Sequence, residues 1–223
     1  SFRRECVSVT SPPQLASIQY SLADKVTESD DFRRLERVGG VDISFSVDNK
    51  AVAAAVVLEL KGLEVIETKT LETELFFPYI PGFLGIREVE PSLSVLNTLK
   101  HDFDVLMVNG HGIMHPRGFG LASHVGVLRD CPTIGVAKRL IDERYINVAT
   151  QRHHAEDQFL ISKNGRVIGA FFRGKYVSVG HRISLKTALN VVERTSIFKT
   201  PEPIRQAHLL ATETFKNILE ERG

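Results

Sequence analysis

The sequence predicts an α/β domain: one mixed sheet with helices on both faces. Three observations predict it. Val41, Ile43, Phe45 and Val47 alternate with Asp42, Ser44 and Ser46, the period of a strand with one apolar face. Val105–Val108 is a short unbroken apolar run, which suits a central strand buried on both sides, and Pro132–Ala137 reads as another buried strand. Three strands come first, then helix, strand, helix and strand, then a hairpin and more helix, an order that stacks helices on a sheet.

Taken along the chain, residues 12–28 open on Ser11-Pro12-Pro13 and read as an amphipathic helix with Leu15, Ile18, Leu22 and Val26 as its stripe. A charged stretch leads to the first strand, where Asp42 falls on the less apolar face. Ala51–Leu60 and Val65–Leu75 complete a meander through turns at Asp48-Asn49-Lys50 and Lys61-Gly62. Residues 78–86, PYIPGFLGI, form a stiff aromatic loop. A helix is expected from about Arg87 to Leu99, with Leu93, Leu96 and Leu99 inward. After the strand ending at Asn109-Gly110, a glycine-rich loop over 110–118 precedes a helix near Gly120–Leu128. Residues 157–173 read as a hairpin about Lys163-Asn164-Gly165, and Tyr176–Val179 adds a strand. Helices follow at about 184–195 and 203–221.

The 223 residues suffice for a single domain over 1–223. No apolar run is long enough to span a bilayer, and the first residues lack the apolar core of a secretory signal. Cys6 and Cys131, far apart in sequence, do not suggest a disulfide framework and make a reducing compartment the default; the expectation is a monomer in cytoplasm or nucleus, nucleolus included, with no membrane partner. Net charge is +1 but uneven: residues 1–113 carry 11 Lys/Arg against 17 Asp/Glu, and residues 114–223 carry 17 against 10. Acids to hold a cation beside bases to hold phosphates would suit a metal-dependent nuclease, although an unevenly charged solvated surface gives the same totals.

Three positions suggest a cation site. Asp42 lies within an apolar strand, Glu88 at a helix start and Asn109 at a buried strand's end; scattered oxygens of this kind suit Mg²⁺, which keeps several waters. Taken singly, they also read as a paired structural acid, a helix-start acid and an ordinary turn. Gly110-His111-Gly112 through His115-Pro116-Arg117-Gly118 would let backbone N–H groups approach a ligand. Lys138 follows a buried strand, where a lysine could meet a phosphate, although judged alone it reads more readily as a surface lysine beside Arg139. His181-Arg182 precedes a helix; the pair could offer a ligand or proton carrier and a phosphate clamp, although a lone histidine is more often structural. Pro78-Tyr79-Ile80-Pro81 would present an aromatic and an apolar side chain rigidly, as a stacking surrogate for a displaced base or as a plug into the core.

The strings VGGVDISF, PYIPGFLGIRE, VNGHGIMHPRGFGLASHVGVL, PTIGVAKRL, VGHRISLKTA and PEPIRQAHLLA occur in order across residues 38–211. Their combination resembles the endonuclease V family over nearly the whole chain, and its animal branch in RGFG and ELFFPYIPGF. The resemblance implies a ribonuclease-H-like fold and an endonuclease for inosine-containing strands. It implies a Mg²⁺ (or Mn²⁺) site at Asp42, Glu88 and Asn109, a phosphate contact at Lys138 and a histidine near the metal at His181. Residues 78–81 match the strand wedge. Gly110 and its loop, with Leu84, match the pocket for an extruded hypoxanthine; Gly82, His111, Gly112, His115, Arg117, Leu121 and Arg182 complete the expected substrate contacts. The implied reaction is hydrolysis of the second phosphodiester 3′ to inosine, leaving 5′-phosphate and 3′-hydroxyl ends, with RNA preferred and deoxyinosine DNA the alternative. Asn109 departs from the pattern, since the family carries Asp there. An Asp→Asn replacement that leaves binding but impairs cutting fits, as does a non-cleaving inosine-binding relative; with the other positions intact, the replacement is the favoured reading. A structure-directed nuclease of the same fold is the remaining alternative.

Overall fold

The computed structural model describes residues 12–46, 48–141 and 158–221. Its elements are α1 (Pro12–Ala23), β1 (Arg37–Phe45), β2 (Lys50–Glu59), β3 (Val65–Glu74), α2 (Leu84–Leu96), β4 (Val105–Asn109), α3 (Leu121–Arg129), β5 (Thr133–Ala137), β6 (Gln158–Lys163), β7 (Arg166–Phe172), β8 (Lys175–His181), α4 (Leu185–Thr195) and α5 (Glu202–Glu221). Among the described residues the strands form one eight-stranded sheet in the order β3-β2-β1-β4-β5-β8-β7-β6. β1 pairs antiparallel with β2 and parallel with β4, β4 runs parallel to β5, and the remaining pairs are antiparallel. The expected mixed sheet is therefore present, and helices cover both of its faces. Val47, Cys6 and the first residue of the expected 157–173 hairpin lie outside the described residues.

Strand alternation sorts the core into two layers. Val38, Val105, Met107, Ile134, Val136, Val177 and Val179 meet Ala188, Val191 and Val192 of α4 and Ile204 of α5. Val41, Ile43, Leu106 and Val108 meet Val95 and Leu96 of α2 and Leu121, Ala122 and Val125 of α3. Side chains along a strand alternate between faces, so Asp42 and Asn109 belong to the α5 face. Asp42 lies on the less apolar face of β1, yet six consecutive residues of the strand are buried, because α5 crosses that side. Gly40 makes the crossing possible: a Cβ there would lie 2.1 Å from the Pro203 carbonyl oxygen.

Two helices differ from expectation. α1 ends at Ala23 and buries Leu15 and Gln19, while Ile18 of the expected stripe is 44% exposed. A polar group replaces an apolar one because Gln19 has buried carbonyls to satisfy. α2 begins at Leu84, which puts Glu88 in its second turn instead of at its start. At α4 the N-cap is Ser184, whose hydroxyl accepts from Thr187 N–H at 3.2 Å.

Candidate active site

The ends of β1, β4 and β5 bring the chemistry together. Val41 lies opposite Val108 in the parallel β1–β4 register, so Asp42 and Asn109 project side by side. Asn109 Nδ2 donates to Asp42 Oδ1 at 2.8 Å, and His208 Nδ1 lies 2.7 Å from Asp42 Oδ2. Asp42 is 7% exposed, and both its oxygens are engaged. The bond to Asp42 raises the His208 pKa, so the imidazole donates to the carboxylate as a partial countercharge. His208 is not among the residues the sequence singles out. It stands on α5 beside the buried Ile204, Ala207 and Ala211, and only the packing of α5 on β1 aims it at Asp42. The Gly39-Gly40 pair within a strand is the one available sign of such a close approach.

Glu88 reaches the same place from α2. It is 6% exposed. Burial, then the neighbouring Asp42 charge, push its carboxyl up to about 8, with Arg87 opposing. Two adjacent buried acids with an amide beside them are a hard-oxygen set that suits a divalent cation such as Mg²⁺ or Mn²⁺. Among the described residues no trio of His, Cys, Asp or Glu is arranged as a metal site, in keeping with an amide at 109. Asn109 turns its NH₂ to Asp42 and so stabilises that carboxylate by hydrogen bonding, where an Asp would add a further acid to the cluster.

A cleft of ≈ 490 Å³ opens at this cluster and is lined by Asp42, Glu88, Asn109 and Lys138 together with Tyr79, Pro81, Gly82, Leu84, Gly110, His111, His115 and Leu121. Gly110 is tightly fitted, since a Cβ would lie 3.2 Å from the Leu121 Cβ. Tyr79 is 61% exposed, so the Pro-flanked loop stands out from the surface and does not plug the core. Pro78 and Ile80 flank it.

A buried network holds that loop's base. The Gly82 carbonyl accepts from His115 Nε2 at 3.0 Å, from Gln19 Nε2 at 3.2 Å and from Arg117 Nη2. Arg117 Nε also donates to Gln19 Oε1, and its guanidinium lies 4.3 Å over the Phe83 ring. His115 Nδ1 accepts from Arg117 N–H at 3.1 Å. Both ring nitrogens of His115 thus have partners that need the neutral tautomer, and burial, then Arg117, push its pKa down to about 3. Arg87 holds the other end of the loop, donating to the Phe77 carbonyl and lying 5.0 Å over the Phe45 ring. Arg117 thus supports the cleft from behind. Gly112 also packs behind it, donating to Ser178 Oγ at 2.9 Å, with no room for a Cβ against the Val179 carbonyl 1.9 Å away.

His181 and Arg182 are not in the cluster. β8 runs antiparallel to β5, so His181 pairs with Thr133 at the start of β5, whereas Lys138 follows its end. His181 Nδ1 accepts from Thr27 N–H at 3.1 Å, and Arg182 pairs with Asp31 and Asp130. The expectation of a metal-side histidine at 181 is corrected: strand direction puts that residue at the far end of the sheet, and His208 is the histidine beside Asp42.

The family model described as Endonuclease V matches residues 20–209. The endonuclease V of Dictyoglomus thermophilum is 39% identical over 199 residues, covering 86% of each chain. That of Thermus thermophilus is 37% identical over 215 residues, covering 93% of this chain and 95% of its own. Among solved structures, the catalytic domain of human endonuclease V has a TM-score of 0.84 at 34% identity, over 93% of this chain and 97% of that one. Ciona intestinalis endonuclease V, in complex with a 23mer DNA containing an inosine followed by a ribo-adenosine, has a TM-score of 0.85 at 29% identity, over 94% and 100%.

Proposed function

The chain belongs to the endonuclease V family of metal-dependent, inosine-specific nucleases, and from that premise we propose that it recognises inosine in single-stranded RNA, with the Asn109 form impaired in cutting. The cut proposed is at the second phosphodiester 3′ to inosine, leaving 5′-phosphate and 3′-hydroxyl ends. One observation carries the reading: Asp42, Glu88 and Asn109 meet in a single cleft that Gly110, Leu121 and the exposed Tyr79 also line, and the part beside Gly110 and Leu121 is read as the slot for the base.

Tyr79 offers a flat face to bases left unstacked when the inosine is drawn out. The slot would take a flat purine against Gly110, where the absent side chain lets a base approach the backbone closely, and close backbone along that edge disfavours guanine's exocyclic amine. Adenine is disfavoured because it presents a mismatched donor and acceptor edge. Lys138, at the end of β5, neutralises the scissile phosphate. His208 fixes the orientation of the Asp42 carboxylate. Asp42, Glu88 and the Asn109 amide oxygen are the groups that would hold Mg²⁺ or Mn²⁺, which when bound supplies Lewis acidity and a more acidic water. Glu88 must release its proton to ligate, so metal binding is coupled to pH. With Asn109 the site lacks one anionic oxygen, which weakens the hold on a cation and misplaces the attacking oxygen. A contact to a ribose next to the inosine is suggested by the Ciona relative, whose bound 23mer DNA carries a ribo-adenosine directly after its inosine.

The test is cleavage of matched RNA and DNA strands carrying one inosine, adenosine or guanosine, with Mg²⁺, by the chain as it stands and by Asn109→Asp. Outer partners of metal ligands are commonly worth 10–100-fold, so the direct ligand should restore at least ~100-fold in rate. Inosine RNA should be the fastest substrate. An unchanged rate rejects the impairment, equal cutting of DNA rejects the RNA preference, and equal cutting of all three bases rejects the slot. A second reading, an inosine-binding protein that does not cut, is favoured by the satisfied Asn109–Asp42 bond and predicts that Asn109→Asp gains no activity.

A further inference from the structure

We propose that a basic strip running from Lys138 and Lys175 over the β7–β8 turn to Phe198 and Lys199 binds the single-stranded nucleic acid lying 3′ of the cut. This rests on the placement of the reacting phosphate beside Lys138 argued above.

The strip follows from the sheet. Ala137 pairs with Tyr176 in the antiparallel β5–β8 register, so the next residues outward, Lys138 and Lys175, are cross-strand neighbours on one face. Lys175 in turn pairs with Phe172 across the tight turn at Arg173-Gly174. Arg173 and Gly174 line a cavity of ≈ 810 Å³ together with Ile197, Phe198, Lys199 and Arg205. A second connection runs along α5, where Arg205 and His208 are three residues apart and share a helix face, one end at the cavity and the other at Asp42. Cleft and cavity are thus joined along the sheet and along the helix.

Charge and exposure suggest the occupant. Among the described residues Lys138, Arg173, Lys175 and Lys199 have no ion-pair partner, while Arg205 is held by Glu202. Burial, then Lys138, lower the Lys175 pKa, so the two ammonium groups press on each other. A phosphate run is the counter-ion that relieves this. Ile197 is 67% and Phe198 58% exposed, with the Arg205 guanidinium 5.2 Å from the Phe198 ring centroid, and an exposed aromatic among cations is the composition that tracks a single strand by stacking and charge. Polarity follows from position. The slot for the base lies toward α2 and α3, the strip lies beyond Lys138 on the α4 and α5 face, and a cut 3′ to inosine sends the downstream strand that way.

The experiment measures fluorescence anisotropy in EDTA, using the chain with Asn109 and single-stranded RNA carrying one inosine. Arms of about three or about ten nucleotides are placed on either side, lengths on the scale of known single-strand sites. Lengthening the 3′ arm should tighten binding about tenfold, and lengthening the 5′ arm should not. Phe198→Ala/Lys199→Glu changes only exposed side chains. It should abolish the 3′ gain, leave short-arm affinity within about twofold, and lower the salt slope by about 0.7 for each phosphate no longer neutralised. Arg173→Ala, on the neighbouring turn, should independently reduce the same gain. A 3′ gain that survives both variants, or a gain confined to the 5′ arm, overturns the proposal. Replacing inosine by adenosine is scored separately: indifference to that change rejects the slot, while the arm comparison still decides the strip.

Discussion

Gln19 illustrates how a single residue can matter without touching the chemistry. Its amide donates to the Gly82 and Phe119 carbonyls and accepts from Arg117, linking α1 to the base of the Tyr79 loop. It is 1% exposed, so removing the amide strands buried acceptors at about 1–3 kcal/mol. Gln19→Leu is expected to lower stability by that amount and to raise KM for inosine strands by about tenfold, with kcat changing less, because the loop is loosened while Asp42 and Glu88 stay in place. Steady-state kinetics with a melting curve checks this; a fall in kcat at unchanged KM would refute the positioning role. Asn109 is the opposite case. Its chemical meaning is legible because the amide replaces an acid in a matched string, but its hydrogen bond to Asp42 is not, since that depends on the register of two strands 67 residues apart.

Among elements, α5 matters most to the site. It brings His208 to Asp42 only because β1 offers Gly40 beneath its first turn, where the Pro203 carbonyl would meet any Cβ at 2.1 Å. Gly40→Ala forces helix and strand apart, which costs about 1–3 kcal/mol as overpacking. The same shift draws His208 from Asp42, so loss of activity in the Asn109→Asp background should exceed what the fall in melting temperature explains. Activity retained in full at a temperature where the variant is folded would show that α5 has another way to seat His208. Element boundaries are largely readable from periodicity: β1 to β8 and the last three helices fall within a few residues of expectation. α1 escapes that reading because an apolar stripe cannot reveal that a buried glutamine serves carbonyls from two distant loops.

For the whole molecule, buried histidines tie stability to pH. His115 and His124 are pushed down to about 3 and about 4 by burial. Unfolded, each takes a proton near pH 6.5; folded, each stays neutral until much lower pH. Their depressed values therefore remove stability as pH falls from about 6.5 towards 4, at up to about 1.4 kcal/mol per pH unit for each group. Glu88, held up at about 8, works the other way between about pH 8 and 4.5 in the metal-free protein. The measurable quantity is accordingly a difference. In urea titrations between pH 7 and 5, His115→Gln should lose less stability on acidification than the parent, by roughly 2 kcal/mol. Parallel pH dependences would mean that His115 titrates normally in the fold.

The sequence by itself determined the strands, most of the helices, the acid-rich and base-rich halves and the residue types of a cation site, because alternation, turn chemistry and charge are local properties of the chain. It also carried the family, through strings that survive in order. Tertiary structure alone decided which of these residues meet. The direction of β8 removed His181 from the cluster, the passage of α5 over Gly40 supplied His208, and the buried Gln19 tied α1 to the Tyr79 loop. Each joins or separates segments far apart in the chain, fixed by strand direction and packing, which no local pattern encodes.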